Sequence, residues 1–226
     1  MRKKIELILV MLTLAGLVMV SKKLEKYVNS DKVEKKGYTV VLDAGHGSSD
    51  SGKVGINGVL EKDINLSISK KTKKYLEKKG ICVIMTRNKD ESLAEGENGN
   101  RKVQDMKARV KRINDTKPDL AVSIHQNSYH EESIHGAQVF YYEHSESGEK
   151  DARILQEALL AVDPDNTRQV KANTTYYLLK RTEVPILIVE CGFLSNQEEA
   201  EKLASEDYQK ELAKAIANGI ESCLKD

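Results

Sequence analysis

Four residues in well-separated parts of the chain could together support metal-assisted hydrolysis. They are His46, Glu61, His125 and Glu190. Two imidazoles and a carboxylate are the usual protein ligands of a catalytic Zn²⁺, which keeps an open position for water. A further carboxylate that does not bind the metal can act as general base and then as general acid. These residue types suggest a zinc hydrolase, provided that the fold brings the four side chains together.

Each of these residues also has an ordinary structural interpretation. A histidine at a strand end often only makes hydrogen bonds, and Glu61 could be an acidic charge at a helix N-terminus. Glu190 is harder to explain in that way, because a carboxylate that ends an apolar strand needs a partner or a task. The Gly-rich segment 45–52 could bind phosphate, but it lacks a following Lys-Ser or Lys-Thr pair and the full G-x-G-x-x-G spacing.

Short apolar, β-branched runs alternate along the chain with segments of helical periodicity. This alternation predicts a single α/β domain, in which a mostly parallel twisted sheet carries helices on both faces. Ligands of such sheets bind at the carboxyl ends of the strands. Three of the four residues lie at or just past a predicted strand end, and Glu61 begins a predicted helix, so we expect a zinc site at that edge. The predicted strands are 38–43, 81–86, 119–124, 136–142 and 185–190, and predicted helices begin near 61 and span 103–113, 149–162 and 198–224.

The N-terminal segment indicates export. Residues 1–21 combine a basic start with an apolar run, which is typical of a signal peptide or of an N-terminal membrane anchor. We interpret residues 22–37 as a linker and residues 38–226 as the catalytic domain. The domain would then act beyond the cytoplasmic membrane, either secreted or anchored to the membrane through the N-terminal segment.

Composition narrows the functional class. The 226-residue chain is 39% hydrophobic and 31% charged, which argues against wholesale disorder. Its 36 Lys and Arg balance 35 Asp and Glu, so nothing indicates a nucleic-acid partner. The three cysteines show no paired spacing. Cys191 follows Glu190 on an extended strand and should point to the opposite face, so we do not count it as a metal ligand.

The chain resembles the zinc-dependent N-acetylmuramoyl-L-alanine amidases over residues 38–223. Four motifs, in the family's order, carry the resemblance: Val41-Leu-Asp-Ala-Gly-His-Gly47, Gly58-Val-Leu-Glu-Lys-Asp-Ile-Asn-Leu66, Ser123-Ile-His-Gln-Asn-Ser128 and Val189-Glu-Cys-Gly-Phe-Leu-Ser-Asn196. Supporting matches are Met85-Thr-Arg87, and Arg109 with Asn114. The resemblance implies that Zn²⁺ is held by His46, Glu61 and His125. It also implies that Glu190 is the catalytic glutamate and that Asn127 contacts the substrate.

Segments 176–180 and 185–203 resemble, more narrowly, the sporulation branch of this family, which trims spore-cortex peptidoglycan. That resemblance implies cleavage between N-acetylmuramic acid and L-alanine, a role in forming muramic-δ-lactam, and action in the forespore intermembrane space. A protein partner or activator could also be required. Two alternatives stay open: another zinc amide hydrolase such as a peptidoglycan carboxypeptidase, and a catalytically silent wall-binding module. We further expect the polar loop 163–175, with Asn166, Arg168 and Asn173, to border the substrate groove.

Overall fold

The computed structural model describes residues 37–94 and 100–226. The predicted export segment, 1–21, lies outside the described residues, as does the predicted linker 22–37 apart from Gly37. Within the described part of the chain, no helix is both long enough and apolar enough to cross a membrane.

Six strands form one sheet, and their bounds are β1 Thr39–Ala44, β2 Cys82–Met85, β3 Leu120–Asn127, β4 Gln138–Tyr142, β5 Lys171–Asn173 and β6 Ile186–Phe193. Their order across the sheet is β2-β1-β3-β6-β4-β5. Strands β2, β1, β3 and β6 are mutually parallel, whereas β4 runs antiparallel to β6 and carries β5 in parallel. The four parallel strands bring their carboxyl ends to one edge, which confirms the predicted α/β architecture.

Helices cover both faces of this sheet, with bounds α1 Glu61–Lys78, α2 Arg101–Thr116, α3 Glu146–Leu160, α4 Tyr177–Arg181, α5 Gln197–Ala204 and α6 Glu206–Lys225. Helix α1 buries Ile64, Ile68 and Leu76, whose spacing places them on one side of a helix. Helix α2 begins after Asn100, whose side chain accepts a hydrogen bond from the backbone N–H of Val103. Helices α1, α3, α5 and α6 share one hydrophobic cluster, and α2 and α4 share the other.

Alternation along the strands decides which helices face the polar residues. In β1, Val40 and Leu42 pack in the cluster with α1, whereas Val41 packs in the cluster with α2 and α4. Because successive side chains point to opposite faces, Asp43 lies on the same face as Val41. Ser123 is the register partner of Asp43, and His125 lies two residues further along β3, so His125 and its own register partner Glu190 lie on this face as well. The polar residues at the carboxyl edge therefore meet on the face that α2 and α4 cover only in part.

Four elements differ from the sequence-based expectation. Strands β3 and β6 each continue three residues past their predicted ends, so His125 and Glu190 lie within strands rather than at their ends. The ladder between these strands is shifted between His125 and Asn127, where regular pairing ends. Strand β5 and helix α4, which have three and five residues, were not predicted, because elements this short carry too little periodicity to be recognised.

Candidate metal centre and active-site cleft

The loop after β1 holds His46 at the carboxyl edge of the sheet. His46 has a φ of 61°, in the left-handed region that non-glycine residues seldom adopt. Its carbonyl oxygen accepts a hydrogen bond of 2.6 Å from Arg109 Nη2. The two preceding carbonyl oxygens, of Ala44 and Gly45, accept hydrogen bonds from Arg87 at 2.9 and 3.0 Å. Two buried guanidinium groups thus fix a backbone conformation that would otherwise be unfavourable.

A buried acid beneath the loop anchors one of these guanidinium groups. Asp43 accepts hydrogen bonds from Arg109 Nη1, Thr86 Oγ1 and Ser123 Oγ, each 2.6 Å long. Burial opposes its ionisation, but Arg109 and the two hydroxyls outweigh that effect and lower the pKa of Asp43 to about 2. The role of Asp43 was not predicted, although a carboxylate near the end of an otherwise apolar strand is a detectable signal.

Three of the predicted site residues converge on one point. Glu61 is the first residue of α1, His125 belongs to β3, and His46 comes from the loop after β1. Glu61 Oε1 lies 3.1 Å from His46 Nε2 and 3.0 Å from His125 Nδ1. One side-chain atom from each residue lies within 4.8 Å of the other two. The three side chains therefore form a cluster that could hold a metal ion.

Polar contacts surround Glu61 Oε1 and the ring of His46. Besides the two imidazoles, the backbone N–H of Gln126 and Asn65 Nδ2 lie 3.2 and 3.3 Å from this oxygen. Asp50 Oδ2 lies 2.9 Å from His46 Nδ1. If Nδ1 carries the proton of a neutral ring, Nε2 presents a lone pair toward Glu61, and a cation is needed between them. Two imidazoles and a carboxylate are a suitable ligand set for a transition-metal ion.

The charge state of the cluster agrees with cation binding. Burial opposes ionisation of Glu61, but the adjacent imidazoles of His125 and His46 outweigh it and hold the pKa of this carboxyl far below its usual range. Burial also lowers the pKa of His125, but the adjacent Glu61 outweighs that effect and raises it. Glu61 Oε2 accepts a hydrogen bond of 2.8 Å from the backbone N–H of Lys53. Glu61 therefore brings a fixed negative charge to the cluster.

Two glycines leave room for these side chains. A Cβ atom added to Gly45 would lie 2.3 Å from His125 Cε1. A Cβ atom at Gly52, which has a φ of 67°, would lie 2.5 Å from Glu61 Oε2 and 2.7 Å from His46 Cδ2. The close approach of loop backbone to the cluster thus depends on glycine at both positions.

Glu190 is the fourth predicted residue, and it faces the same cleft. It is the β6 register partner of His125 and is only 7% exposed. Its Oε2 atom is buried and has no hydrogen-bond partner among the described residues. Burial raises the pKa of Glu190 to about 7, with Glu61 adding to the shift and the two histidines opposing it. A carboxyl that titrates near neutrality is suited to accept and return a proton.

The four residues line an open cleft of about 640 Å³. Asn127 lies in its wall, and Tyr176 and Tyr177 at the start of α4 add an aromatic side that sequence analysis missed. None of the described residues from 163 to 175 lines this cleft, so our expectation for that loop was wrong. The loop instead holds the segment that leads into β4, because Asn166 Nδ2 donates to Ala137 O and Arg168 Nε donates to His135 O. Asn173 Oδ1 accepts from the backbone N–H groups of Thr175 and Tyr176, just before α4.

Cys191 lies outside the cluster. It is fully buried in the hydrophobic cluster on the opposite face of β6, and burial raises its pKa further above the ordinary thiol value. The expected orientation of Cys191 away from Glu190 is therefore confirmed.

Comparison with known proteins agrees with this architecture. The sequence profile of the N-acetylmuramoyl-L-alanine amidases matches residues 40–222. A germination-specific N-acetylmuramoyl-L-alanine amidase of Bacillus subtilis (strain 168) is 40% identical over 187 residues, which cover 81% of this chain and 78% of that protein. The CwlD amidase from Clostridioides difficile, solved in complex with the GerS lipoprotein, is 37% identical, with a TM-score of 0.81 and coverage of 84% and 99%.

A third relative comes from a different organism. The amidase AmiC2 of Nostoc punctiforme is 32% identical, has a TM-score of 0.73, and is matched over 84% of this chain and 98% of its own. These matches lend no support to the carboxypeptidase or to the catalytically silent module. The profile spans all four residues of the cleft, and the chain therefore belongs to the N-acetylmuramoyl-L-alanine amidase family of peptidoglycan hydrolases.

Proposed function

We propose that this amidase is a zinc enzyme, in which His46, Glu61 and His125 hold one Zn²⁺ and Glu190 is the catalytic carboxylate. The observation that carries the proposal is the approach of two imidazole nitrogens to the same Glu61 oxygen, at 3.1 and 3.0 Å. Glu190, with its unpartnered buried oxygen, faces the same cleft.

The reaction is hydrolysis of the amide between the lactyl group of N-acetylmuramic acid and the L-alanine of the stem peptide. Bound Zn²⁺ supplies a Lewis acid that polarises the amide carbonyl and lowers the pKa of water. Glu190 accepts a proton from the attacking water and delivers it to the alanine nitrogen as the carbon–nitrogen bond breaks. The products are a lactyl carboxylate and a stem peptide with a free amino terminus.

Substrate binding is assigned to the cleft around these groups. We assign to Asn127 a hydrogen bond with the polar backbone of a glycan or stem peptide, because it lies in the cleft wall two residues beyond His125. Tyr176 and Tyr177 offer aromatic surface for a sugar face or an alanine methyl group. The open form of the cleft suits a polymeric substrate such as peptidoglycan.

The biological setting that we propose is maturation of spore-cortex peptidoglycan, with formation of muramic-δ-lactam before germination. The germination-specific relative from Bacillus subtilis and the similarity to CwlD support this assignment. The CwlD structure contains a lipoprotein, which supports a protein partner for this chain as well. Export through residues 1–21 would deliver the enzyme to the forespore intermembrane space, because mature peptidoglycan lies outside the cytoplasmic membrane.

Metal analysis combined with turnover of a muropeptide tests the ligand and catalytic assignments separately. We expect one Zn²⁺ per wild-type chain and loss of most of it in His46→Ala. Glu190→Gln should keep its zinc but lose about 10²–10⁴-fold in turnover. Full zinc occupancy in His46→Ala would refute the ligand set. Activity of Glu190→Gln within about twofold of the wild type would remove Glu190 from the reaction.

Deletion of residues 2–21 tests the proposed setting. The truncated protein should keep its activity after purification, yet fail to support muramic-δ-lactam formation in spores. Normal lactam formation with the truncated protein would refute the proposed export route without affecting the zinc chemistry.

A further inference from the structure

We infer that Asp50 is a positioning residue, which orients His46 for metal binding and keeps the ring proton away from the metal-facing nitrogen. Asp50 Oδ2 lies 2.9 Å from His46 Nδ1, while Nε2 of the same ring lies 3.1 Å from Glu61 Oε1. The imidazole is thus held between two carboxylates through its opposite nitrogens. The inference rests on the proposed metal site and names a residue that the proposed chemistry does not yet use.

His46 needs such a partner more than the other two proposed ligands do. Glu61 is fixed by helix α1 and His125 by strand β3, whereas His46 lies on a loop with a left-handed backbone. Its side chain is 18% exposed, compared with 21% for His125 and 2% for Glu61, so the loop position rather than exposure sets His46 apart. Arg109 holds the His46 carbonyl oxygen but not the ring. A contact to Nδ1 of the His46 ring is therefore needed to keep Nε2 pointing toward the proposed metal site.

Asp50 is itself fixed well enough to serve this purpose. Its backbone exchanges two hydrogen bonds with Gly47, at 2.9 and 3.1 Å. Its Oδ1 accepts a hydrogen bond of 3.3 Å from the backbone N–H of Gly52, which directs Oδ2 toward the ring. Lys102 Nζ lies 3.5 Å from Oδ2 and offsets part of the carboxylate charge. The turn from Gly47 to Gly52 therefore presents one carboxylate oxygen to one imidazole nitrogen.

The chemical effect follows from the two tautomers of a neutral imidazole. With Asp50 present, the proton is on Nδ1 and the lone pair of Nε2 is available to the metal. Without the carboxylate, the ring can place its proton on Nε2 and donate it to Glu61, so that Nε2 no longer offers a lone pair to the metal. Groups that hold the non-ligating nitrogen of a metal-binding histidine typically contribute 10- to 100-fold in affinity.

The alternative is that Asp50 only stabilises the loop, and Asp90 provides the matched control. Asp90 Oδ1 accepts a hydrogen bond of 2.6 Å from the backbone N–H of Ser48, and Asp90 Oδ2 pairs with Lys62 Nζ at 2.7 Å. It supports the same loop through a carboxylate and shows no contact with His46 among the described interactions. A purely structural role predicts equal effects of Asp50→Ala and Asp90→Ala on metal affinity.

The test is a titration of the purified full chain and its variants with Zn²⁺ against a competing chelator. Asp50→Ala should weaken zinc binding by about 10- to 100-fold. Asp50→Asn should lose less, because its amide oxygen still accepts a hydrogen bond from Nδ1, and Asp90→Ala should stay within about twofold of the wild type. The inference is overturned if Asp50→Ala binds zinc within about threefold of the wild type, or if Asp90→Ala loses as much affinity as Asp50→Ala.

Two further measurements separate positioning from loss of structure. Nitrogen-15 NMR of the metal-free proteins at alkaline pH should show the Nδ1–H tautomer of His46 in the wild type and a shift toward Nε2–H in Asp50→Ala. An unchanged tautomer would overturn the inference even if affinity falls. In the same titration, His46→Ala reports on the proposed metal site itself. Undiminished zinc binding by His46→Ala refutes that site, whereas its loss beside unchanged binding by Asp50→Ala refutes only the role of Asp50.

Discussion

Replacing Glu190 with glutamine should make the metal-free protein more stable at neutral and alkaline pH. Burial raises the pKa of Glu190 from its ordinary value of 4.5 to about 7, so the folded protein retains a proton that the unfolded chain releases. The folded state therefore binds more protons between these two values, and the free energy of unfolding falls as the pH rises through this window. The loss is about 1.4 kcal/mol per pH unit, or about 3 kcal/mol in all.

Glutamine has nearly the same shape as glutamate but does not titrate. The variant should therefore not show this fall in the free energy of unfolding as the pH rises. Urea unfolding of wild type and Glu190→Gln, after metal removal, should give similar free energies at about pH 4 and a difference of about 3 kcal/mol in favour of the variant at about pH 8. Glu77→Gln on the exposed side of α1 is the control and should change stability by less than about 1 kcal/mol at every pH. A difference between wild type and Glu190→Gln that stays constant across this range would refute the argument that Glu190 is a desolvated, unpartnered carboxyl.

Three other changes test the parts that support the cleft. Gly45→Ala should reduce zinc binding by more than about tenfold, because the new Cβ would lie 2.3 Å from the His125 ring; zinc affinity equal to that of the wild type would contradict this steric argument. Asp43→Asn should cost at most about 3–5 kcal/mol of unfolding free energy at neutral pH, because Arg109 Nη1 loses its buried carboxylate while Arg109 Nε keeps Asp105 at 2.6 Å. This cost should shrink as the pH falls from 3.8 toward 2, because Asp43 of the wild type then becomes protonated as well. If urea unfolding gives a cost that does not depend on pH, the ion pair is not its source. Asn166→Ala should lower stability by about 1–3 kcal/mol through the lost hydrogen bond to Ala137 O, and it should leave the KM for a muropeptide unchanged. An increased KM with unchanged stability would show that this loop contacts the substrate after all.

The positions of the four cleft residues were predictable because strand ends can be recognised in the sequence. Apolar runs that stop at polar residues mark these ends, and parallel strands must then gather those residues at one edge. His46, His125 and Glu190 follow from this rule, and Glu61 follows from its place at a helix start. Their proposed chemical roles came from residue type and from resemblance to a family, since strand positions alone do not distinguish a metal ligand from a structural histidine.

Other features could not be predicted because they depend on long-range contacts or on conformations that sequence periodicity does not encode. The contact of Asp50 with His46 requires a turn with left-handed residues inside a Gly/Ser-rich loop. The antiparallel direction of β4 leaves no trace in its own apolar pattern. Tyr176 reaches the cleft because Asn173 Oδ1 accepts a hydrogen bond from its backbone N–H just before α4. That arrangement becomes visible only once β5 is paired with β4.

Mass spectrometry of the products from a defined muropeptide, digested in isotopically labelled water, tests the central claim most directly. Wild-type enzyme with Zn²⁺ should release an intact stem peptide with a free N-terminal alanine, and one labelled oxygen should appear in the lactyl carboxylate. Glu190→Gln loaded with Zn²⁺ should leave the muropeptide essentially uncut over the same time. Release of a residue from the carboxyl end of the stem peptide, or wild-type product yield from Glu190→Gln, would contradict the account.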